Sequence, residues 1–435
     1  MNYEESHEYL DSLLVFGIKL GLENMQALCN LLDNPQNDLK FIHVAGTNGK
    51  GSCCAMLAAA LKKSNLKVGF YSSPFLYRFT ERWRINGFEV SEDQVSEAIS
   101  EIAALEPELI KITGVRPTYF EVLTAAALLI FKSAAIDVVV WETGMGGRLD
   151  ATNIVEPLVS LITNIELDHT QYLGDTLDKI AAEKGGIVKN GVPLVCGEER
   201  DGLRKFFTEL ASSKGSQIYL LAKDFHFTES GLEKKNGKFF RKLKYSSAQV
   251  EELEVALPSL GRHQCENASM VLKALEIVCP LLKIDFKSAV EGLSFFNWPG
   301  RLELRENGLI LDGAHNPDGA GVLVKALDEI YPERKFHFIC GILADKNWKE
   351  VLDILCEKAE SFFLVKIKNA RASNPEDLKE YILSKGIQVI GEGSAEEALS
   401  KTEKPDKTVV VGSLYLIGEA LSILNNGQPA LIDSL

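Results

Sequence analysis

From Phe41 onward the chain alternates short β-branched or aromatic runs with helical stretches: FIHVAG at 41–46, SCCAMLAAALKKS at 52–64, VGFYSS at 68–73. Parallel strands cannot be joined by tight turns and need crossovers of a dozen or more residues, so this alternation commits the chain to a layered α/β fold. IDVVVWETG, LVSLITNI and VPLVCGE read as further strands, apolar on both faces and separated by helical stretches such as TLDKIAAEKGGIV. Between about 217 and 260 the texture changes to alternating aromatic and charged residues with glycine turns, as in FHFTESGLEKKNGKFFRKLKY, which predicts a small antiparallel insert. A helical segment from Gln264 to Cys279 follows, and NWPGR at 297–301 breaks helical continuity. GLILDGAHN, KFHFICGI, SFFLVKI and KTVVVGS then begin a second α/β series. The expected division is an N-terminal parallel-sheet domain over 1–297, carrying the insert at about 217–260, and a smaller Rossmann-like α/β domain over 298–435.

Composition narrows the function classes. With 47 basic and 61 acidic residues the net charge is −14, which opposes broad electrostatic binding to nucleic acid or anionic lipid. Neither is expected as a partner, and an anionic ligand must be held locally. The longest apolar run, Val122 to Phe131, is well short of the roughly 20 residues that cross a bilayer. MNYEESHEYL has no basic region followed by an apolar one, so the expected location is the cytoplasm. The 8 cysteines include no CxxC pair and read as reduced core thiols.

VAGTNGKGS at 44–52 lies between a predicted strand and a predicted helix, where a glycine-rich turn lets backbone N–H groups and a helix N-terminus surround phosphate oxygens. Lys50 adds the compensating charge. The usual phosphate loop has a glycine where this chain has Val44, and a hydroxyl where it has Gly51, with Ser52 displaced by one position. Taken alone, the segment reads equally as a glycine-rich turn with a solvated lysine.

Its context favours the phosphate loop. GTNGKGS at 46–52 resembles the ATP loop of the Mur ligase superfamily, and its Lys-Gly-Ser ending resembles the folate branch, the folylpolyglutamate and dihydrofolate synthases. Similar blocks recur in order: YSSPFLYRFTERWRING at 71–87, WETGMGGRLDATN at 141–153, NIELDHTQYLGDT at 164–176, EKGGIVK at 183–189, GRHQCENA at 261–268, PGRLE at 299–303, LDGAHNP at 311–317 and VVVGSLY at 409–415. The resemblance covers nearly the whole chain. It implies a P-loop ATPase-like first domain and an ATP-dependent amide ligase of the bifunctional bacterial type. Such an enzyme adds L-glutamate to dihydropteroate and to folates through an acyl phosphate, and works as a monomer. The alternatives are a folylpolyglutamate synthase alone and, from another class, a P-loop regulatory binding module.

The resemblance also implies roles for single residues. Gly46, Thr47, Asn48, Gly49, Lys50, Gly51 and Ser52 would hold ATP, with Asn267 on adenine, Arg301 on phosphate, Asp312 on ribose and His315 along the same nucleotide edge. Ser73, Glu142 and His169 would ligate Mg²⁺, and Lys184 would be carbamylated and so resemble a carboxylate. Lys50, Lys184, His169 and Arg301 make up the catalytic set, and Asp150 is associated with the pterin-bearing substrate. Each has a plainer reading: a strand-end charge for Glu142, a structural ring for His169, a solvated lysine for Lys184, an interdomain salt bridge for Arg301, an Asx turn for Asp150. Arg78, Arg82 and Arg84 cluster in an otherwise acidic chain, where their charge suits a glutamate carboxylate on a folate tail, Arg82 being the expected contact.

Overall fold

The computed structural model describes residues 1–14, 21–235 and 238–427. The expected glycine turn at Asn236–Gly237 lies outside the described residues. The first sheet contains β1 (Phe41–Ala45), β2 (Val68–Tyr71), β3 (Trp83–Ile85), β4 (Phe88–Glu89), β5 (Val138–Glu142), β6 (Pro157–Ile162), β7 (Leu194–Cys196) and β8 (Ile218–Leu220). Their order is β4-β3-β2-β5-β1-β6-β7-β8, with β3 and β4 antiparallel and the rest parallel.

The continuous apolar runs follow from burial on both faces. Val138 and Val140 of β5 face one core cluster with Ile42 and Val44 of β1. Val139 and Trp141 face the other, with Phe41. Helices Lys50–Lys63 and His263–Leu282 cover the first face, and helices Glu92–Thr113 and Tyr119–Ser133 the second. Helix Lys50–Lys63 is buried at every position from Ser52 to Ala60 except Ala58, because it lies between the sheet and helix His263–Leu282. The Cys53–Cys54 pair sits here, and of the eight cysteines only Cys356 is not fully buried.

The insert is a three-stranded antiparallel sheet of β9 (Phe225–Lys235), β10 (Lys238–Ser247) and β11 (Leu253–Leu257), with β10 central. A mixed sheet follows: β12 (Glu303–Leu304), β13 (Ile310–Asp312), β14 (Phe336–Cys340), β15 (Ala359–Val365), β16 (Gln388–Gly393) and β17 (Thr408–Val411), ordered β12-β13-β17-β14-β15-β16. Only β12 runs antiparallel to its neighbour.

The insert does more than its sequence suggests. Leu232 and Phe239 pack against the core of the second α/β unit. Arg241 of β10 is fully buried, pairs with Glu229 of β9 and with Glu329 of helix Pro317–Ile330, and donates to the Leu260 carbonyl. No helix among the described residues is long and apolar enough to cross a membrane.

Candidate active site

Open α/β sheets place ligands beyond the carboxyl ends of their strands, where the order reverses. Here β1 is flanked by β5 and β6, and Val44 pairs with Glu142. The chain after β1 turns through Gly46–Gly49 into helix Lys50–Lys63. Gly49 has φ 85°, a left-handed conformation that favours glycine, and a Cβ there would stand 2.5 Å from Asn267 Oδ1. Gly51 explains the missing hydroxyl: a Cβ there would lie 2.9 Å from Trp298 Nε1, so the indole occupies the space that a serine would need. Ser52 turns inward instead and accepts a hydrogen bond from Gln264 Nε2 at 3.2 Å.

The loop is tied down on the side of β6. Asn48 N donates to Asn164 Oδ1 at 2.8 Å, and Glu166 N donates to Thr47 Oγ1 at 2.9 Å. Lys50 Nζ donates to the Gly46 and Thr47 carbonyls at 3.0 and 3.1 Å, and Lys184 Nζ donates to the same Gly46 carbonyl at 2.7 Å. Two lysine amines therefore share one loop, while the first N–H groups of the helix have no partner within it. Lys184 is 4% exposed, and burial, with Lys50 beside it, brings its pKa down to about 7.

Glu142 ends β5 and is 5% exposed. Among the described residues its carboxylate accepts one long bond, 3.4 Å, from Ser73 N. Burial pushes its pKa up to about 7, against the pull of Lys50, the Ser73 N–H and Arg301. A buried carboxylate so thinly compensated fits a divalent cation. Among the described residues no group of three His, Cys, Asp or Glu side chains stands together as a cage. That also suits Mg²⁺, which keeps waters and substrate phosphate oxygens around one or two protein ligands. His169 lies apart from this carboxylate's hydrogen bonds. It is exposed, has φ 50°, and its Nε2 stands 3.8 Å from Asp168 Oδ2.

The second unit meets the loop directly. Asn48 Nδ2 donates to Asp318 Oδ2 at 2.7 Å, and Asn316 Nδ2 donates to Asn48 Oδ1 at 3.3 Å. Asn316 also caps helix Pro317–Ile330 through Gly319 N at 2.8 Å. Lys346 Nζ reaches across to Asp168 Oδ1 at 2.6 Å. Arg301 lines a cleft with Gly51, Ser72, Ser73, Glu142 and Trp298. Asp312 accepts from Leu302 N at 2.8 Å and Ala314 N at 2.9 Å, which shapes the turn after β13. His315 Nδ1 lies 2.8 Å from the Gly313 carbonyl, so that nitrogen carries the proton and Nε2 is left to accept. Burial, then Lys346, holds this ring near pKa 4 and hence neutral.

Two expected substrate contacts have protein partners of their own. The Asp150 carboxylate accepts from Met145 N at 2.7 Å and from Thr152 N and Oγ1 at 3.0 and 2.5 Å, so its own loop engages it as an Asx turn. Arg82 lies over the rings of Phe75 and Phe79 at 5.0 and 5.7 Å, while Arg84 lines the cleft. Sequence reasoning also passed over Lys346 and Gln264. Lys346 had a legible signal, since it follows the carboxyl end of β14 on the sheet that faces the loop.

Residues 44–275 match the Mur ligase middle domain, and residues 300–414 match the Mur ligase, glutamate ligase domain. A phosphate loop closed against a glutamate-ligase domain defines a Mur-type ligase, and the chain belongs to that superfamily. The folylpolyglutamate synthase of Lacticaseibacillus casei is 32% identical over 443 residues, covering 98% of this chain and 100% of that one. The dihydrofolate synthase/folylpolyglutamate synthase of Bacillus subtilis is 31% identical over 429 residues, covering 96% and 98%. A Haloferax volcanii protein, described as a probable bifunctional folylpolyglutamate synthase/dihydropteroate synthase, is 33% identical, and the chain spans 50% of its length. Among solved structures, folylpolyglutamate synthase of Thermotoga maritima superposes with a TM-score of 0.85 at 36% identity, covering 98% of this chain and 97% of that one. Escherichia coli FolC in complex with DHPP and ADP gives 0.85 at 29% identity, covering 98% of each. Within the superfamily, the chain belongs to the folylpolyglutamate synthase/dihydrofolate synthase family of ATP-dependent ligases.

Proposed function

We propose that this chain adds L-glutamate both to dihydropteroate and to reduced folates and their polyglutamates, with release of ADP and phosphate. The observation that carries the reading is the convergence of the Lys50 loop, Glu142 and Arg301 on one cleft between two α/β units. An amide does not form from a carboxylate and an amine in water without activation, so the carboxylate first takes the terminal phosphoryl of ATP. The glutamate amine then displaces phosphate from the acyl carbon.

Lys50 and the helix N-terminus hold the transferred phosphoryl, and Arg301 enters from the far side to stabilise its charge as it moves. Burial lowers the Arg301 pKa, while Asp312 and Glu142 support its charge. Glu142 and the Ser73 segment would hold Mg²⁺, which neutralises phosphate oxygens when bound. Asn267, beside Gly49, and His315 and Asp312, on the second unit, would bracket the nucleoside.

Purified protein given ATP, labelled glutamate and either dihydropteroate or tetrahydrofolate tests the assignment. Both acceptors should be glutamylated, with one phosphate released per glutamate joined. Activity with tetrahydrofolate alone would make it a folylpolyglutamate synthase only, and phosphate release without glutamate dependence would make it a nucleotide-driven module. Glu142→Gln, which keeps shape and loses charge, should raise the Mg²⁺ concentration for half-maximal turnover at least about tenfold while the thermal midpoint holds. An unchanged magnesium titration would contradict the role given to Glu142.

A further inference from the structure

Arg84, in the middle of β3, is 3% exposed and lines the same cleft as Ser73, Glu142, Trp298 and Arg301. Its counter-ion is Glu81, 3.5 Å from the guanidinium. That carboxylate is already occupied: Oε2 accepts from Leu76 N at 3.0 Å, and Oε1 accepts from Tyr77 N and Arg78 N at 3.1 and 2.9 Å. Glu81 thus shapes the turn after Pro74 and gives Arg84 charge compensation from a distance rather than a paired hydrogen bond. Arg84 Nε has no hydrogen-bond partner among the described residues, and its guanidinium stands over the Trp298 ring at 5.8 Å. Burial lowers its pKa to about 10, with Glu81 and Glu89 opposing, so it stays charged at neutral pH.

Of the neighbouring arginines, Arg78 pairs with Glu89 and Glu92 and Arg301 stands by Asp312. Arg82, whose Nε is likewise unpartnered among the described residues, lies over the rings of Phe75 and Phe79 and does not line the cleft, so Arg84 is the one whose free N–H faces it. A buried guanidinium with an unused N–H is costly unless a ligand supplies an acceptor, and its planar fork matches a carboxylate. The reacting carboxylate is unsuited to Arg84, because it must approach the phosphoryl held by Lys50 and surrender its charge to the new bond. A folate ends in a glutamate with a second, spectator carboxylate. Dihydropteroate has only the carboxylate that reacts.

Resting on the function proposed above, we propose that Arg84 binds the α-carboxylate of the acceptor's terminal glutamate, and so serves the extension of a folate but not the first glutamate addition. The test compares tetrahydrofolate with tetrahydropteroyl-4-aminobutyrate, which keeps the side-chain carboxylate and lacks the α one. Measured on wild type, Arg84→Lys and Arg84→Gln, kcat/KM should favour tetrahydrofolate by about 10- to 100-fold in wild type. The ratio should shrink in Arg84→Lys and approach one in Arg84→Gln. Calorimetric titration of both compounds in the presence of ADP should reproduce the same ratios without turnover. Equal affinities in wild type, a ratio that survives Arg84→Gln, a uniform fall with both compounds, or a loss confined to ATP binding would each overturn the proposal. Failure to glutamylate dihydropteroate would overturn bifunctionality alone, since the binding ratios are read independently of it.

Discussion

Lys50→Ala is expected to lower amide formation by at least ~10²–10³-fold, the scale seen when one preorganised charge is withdrawn from a developing anion. Among the described residues the ammonium of Lys50 donates to the Gly46 and Thr47 carbonyls of its own loop, a local pairing whose loss should leave the fold in place. The thermal midpoint should therefore barely move, as for other partly exposed substitutions. Lys50→Arg should not restore turnover, because the broad guanidinium cannot replace a compact ammonium inside a tight loop. Steady-state turnover and a melting curve on the same preparations decide the matter. Near-normal turnover in the alanine variant would remove the phosphate-loop assignment.

Lys184→Ala should be inactive by a comparable factor, and a short carboxylate such as acetate should restore part of the activity. The reason is the amine's surroundings. With its pKa brought down to about 7 by burial and by Lys50, Lys184 is about half neutral at pH 7. An ordinary lysine is neutral in roughly one molecule in 3,000 at that pH. Only the neutral amine reacts with CO₂, and the carbamate so formed would replace repulsion from Lys50 with attraction. The sign of the pH effect follows: protonation as pH falls through about 7 blocks carbamylation, so activity should drop on that side and rise when dissolved CO₂ is increased. Labelled CO₂ followed by carbon NMR reads the modification directly. An alanine variant that stays active and ignores acetate would make Lys184 an ordinary buried lysine tied to Gly46.

Alternation of apolar runs made the layered fold legible, because strands buried on both faces leave no polar positions to interrupt them. The strand-end positions of the Lys50 loop and Glu142 were legible for a related reason, while the roles expected of them came from the family resemblance rather than from the local pattern. The contacts that shape the cleft were not. Gly51 departs from the usual phosphate loop because Trp298, far along the chain, fills the space of the missing side chain. Asp168 and Lys346 meet only because two sheets face each other. Arg82 and Arg84 are indistinguishable by composition, yet Arg82 closes a 3₁₀ turn and Arg84 lies within a strand, so the backbone aims them at different surroundings. Asp150 illustrates a residue whose two readings share one pattern, since an aspartate that caps a turn and one that awaits a ligand look alike until the hydrogen bonds are drawn.

The fully buried Arg241 couples the stability of parts that the chain encodes separately. One of its glutamates comes from the insert and the other from the helix that follows Asn316. Separating the two units would take Glu329 from this guanidinium and leave it Glu229 and the Leu260 carbonyl, a two-carboxylate clamp reduced to a single ion pair. The insert is thus encoded with the first unit and anchored by the second, so a change at Glu329, remote from the cleft, is expected to loosen the insert as well as the helix that carries it.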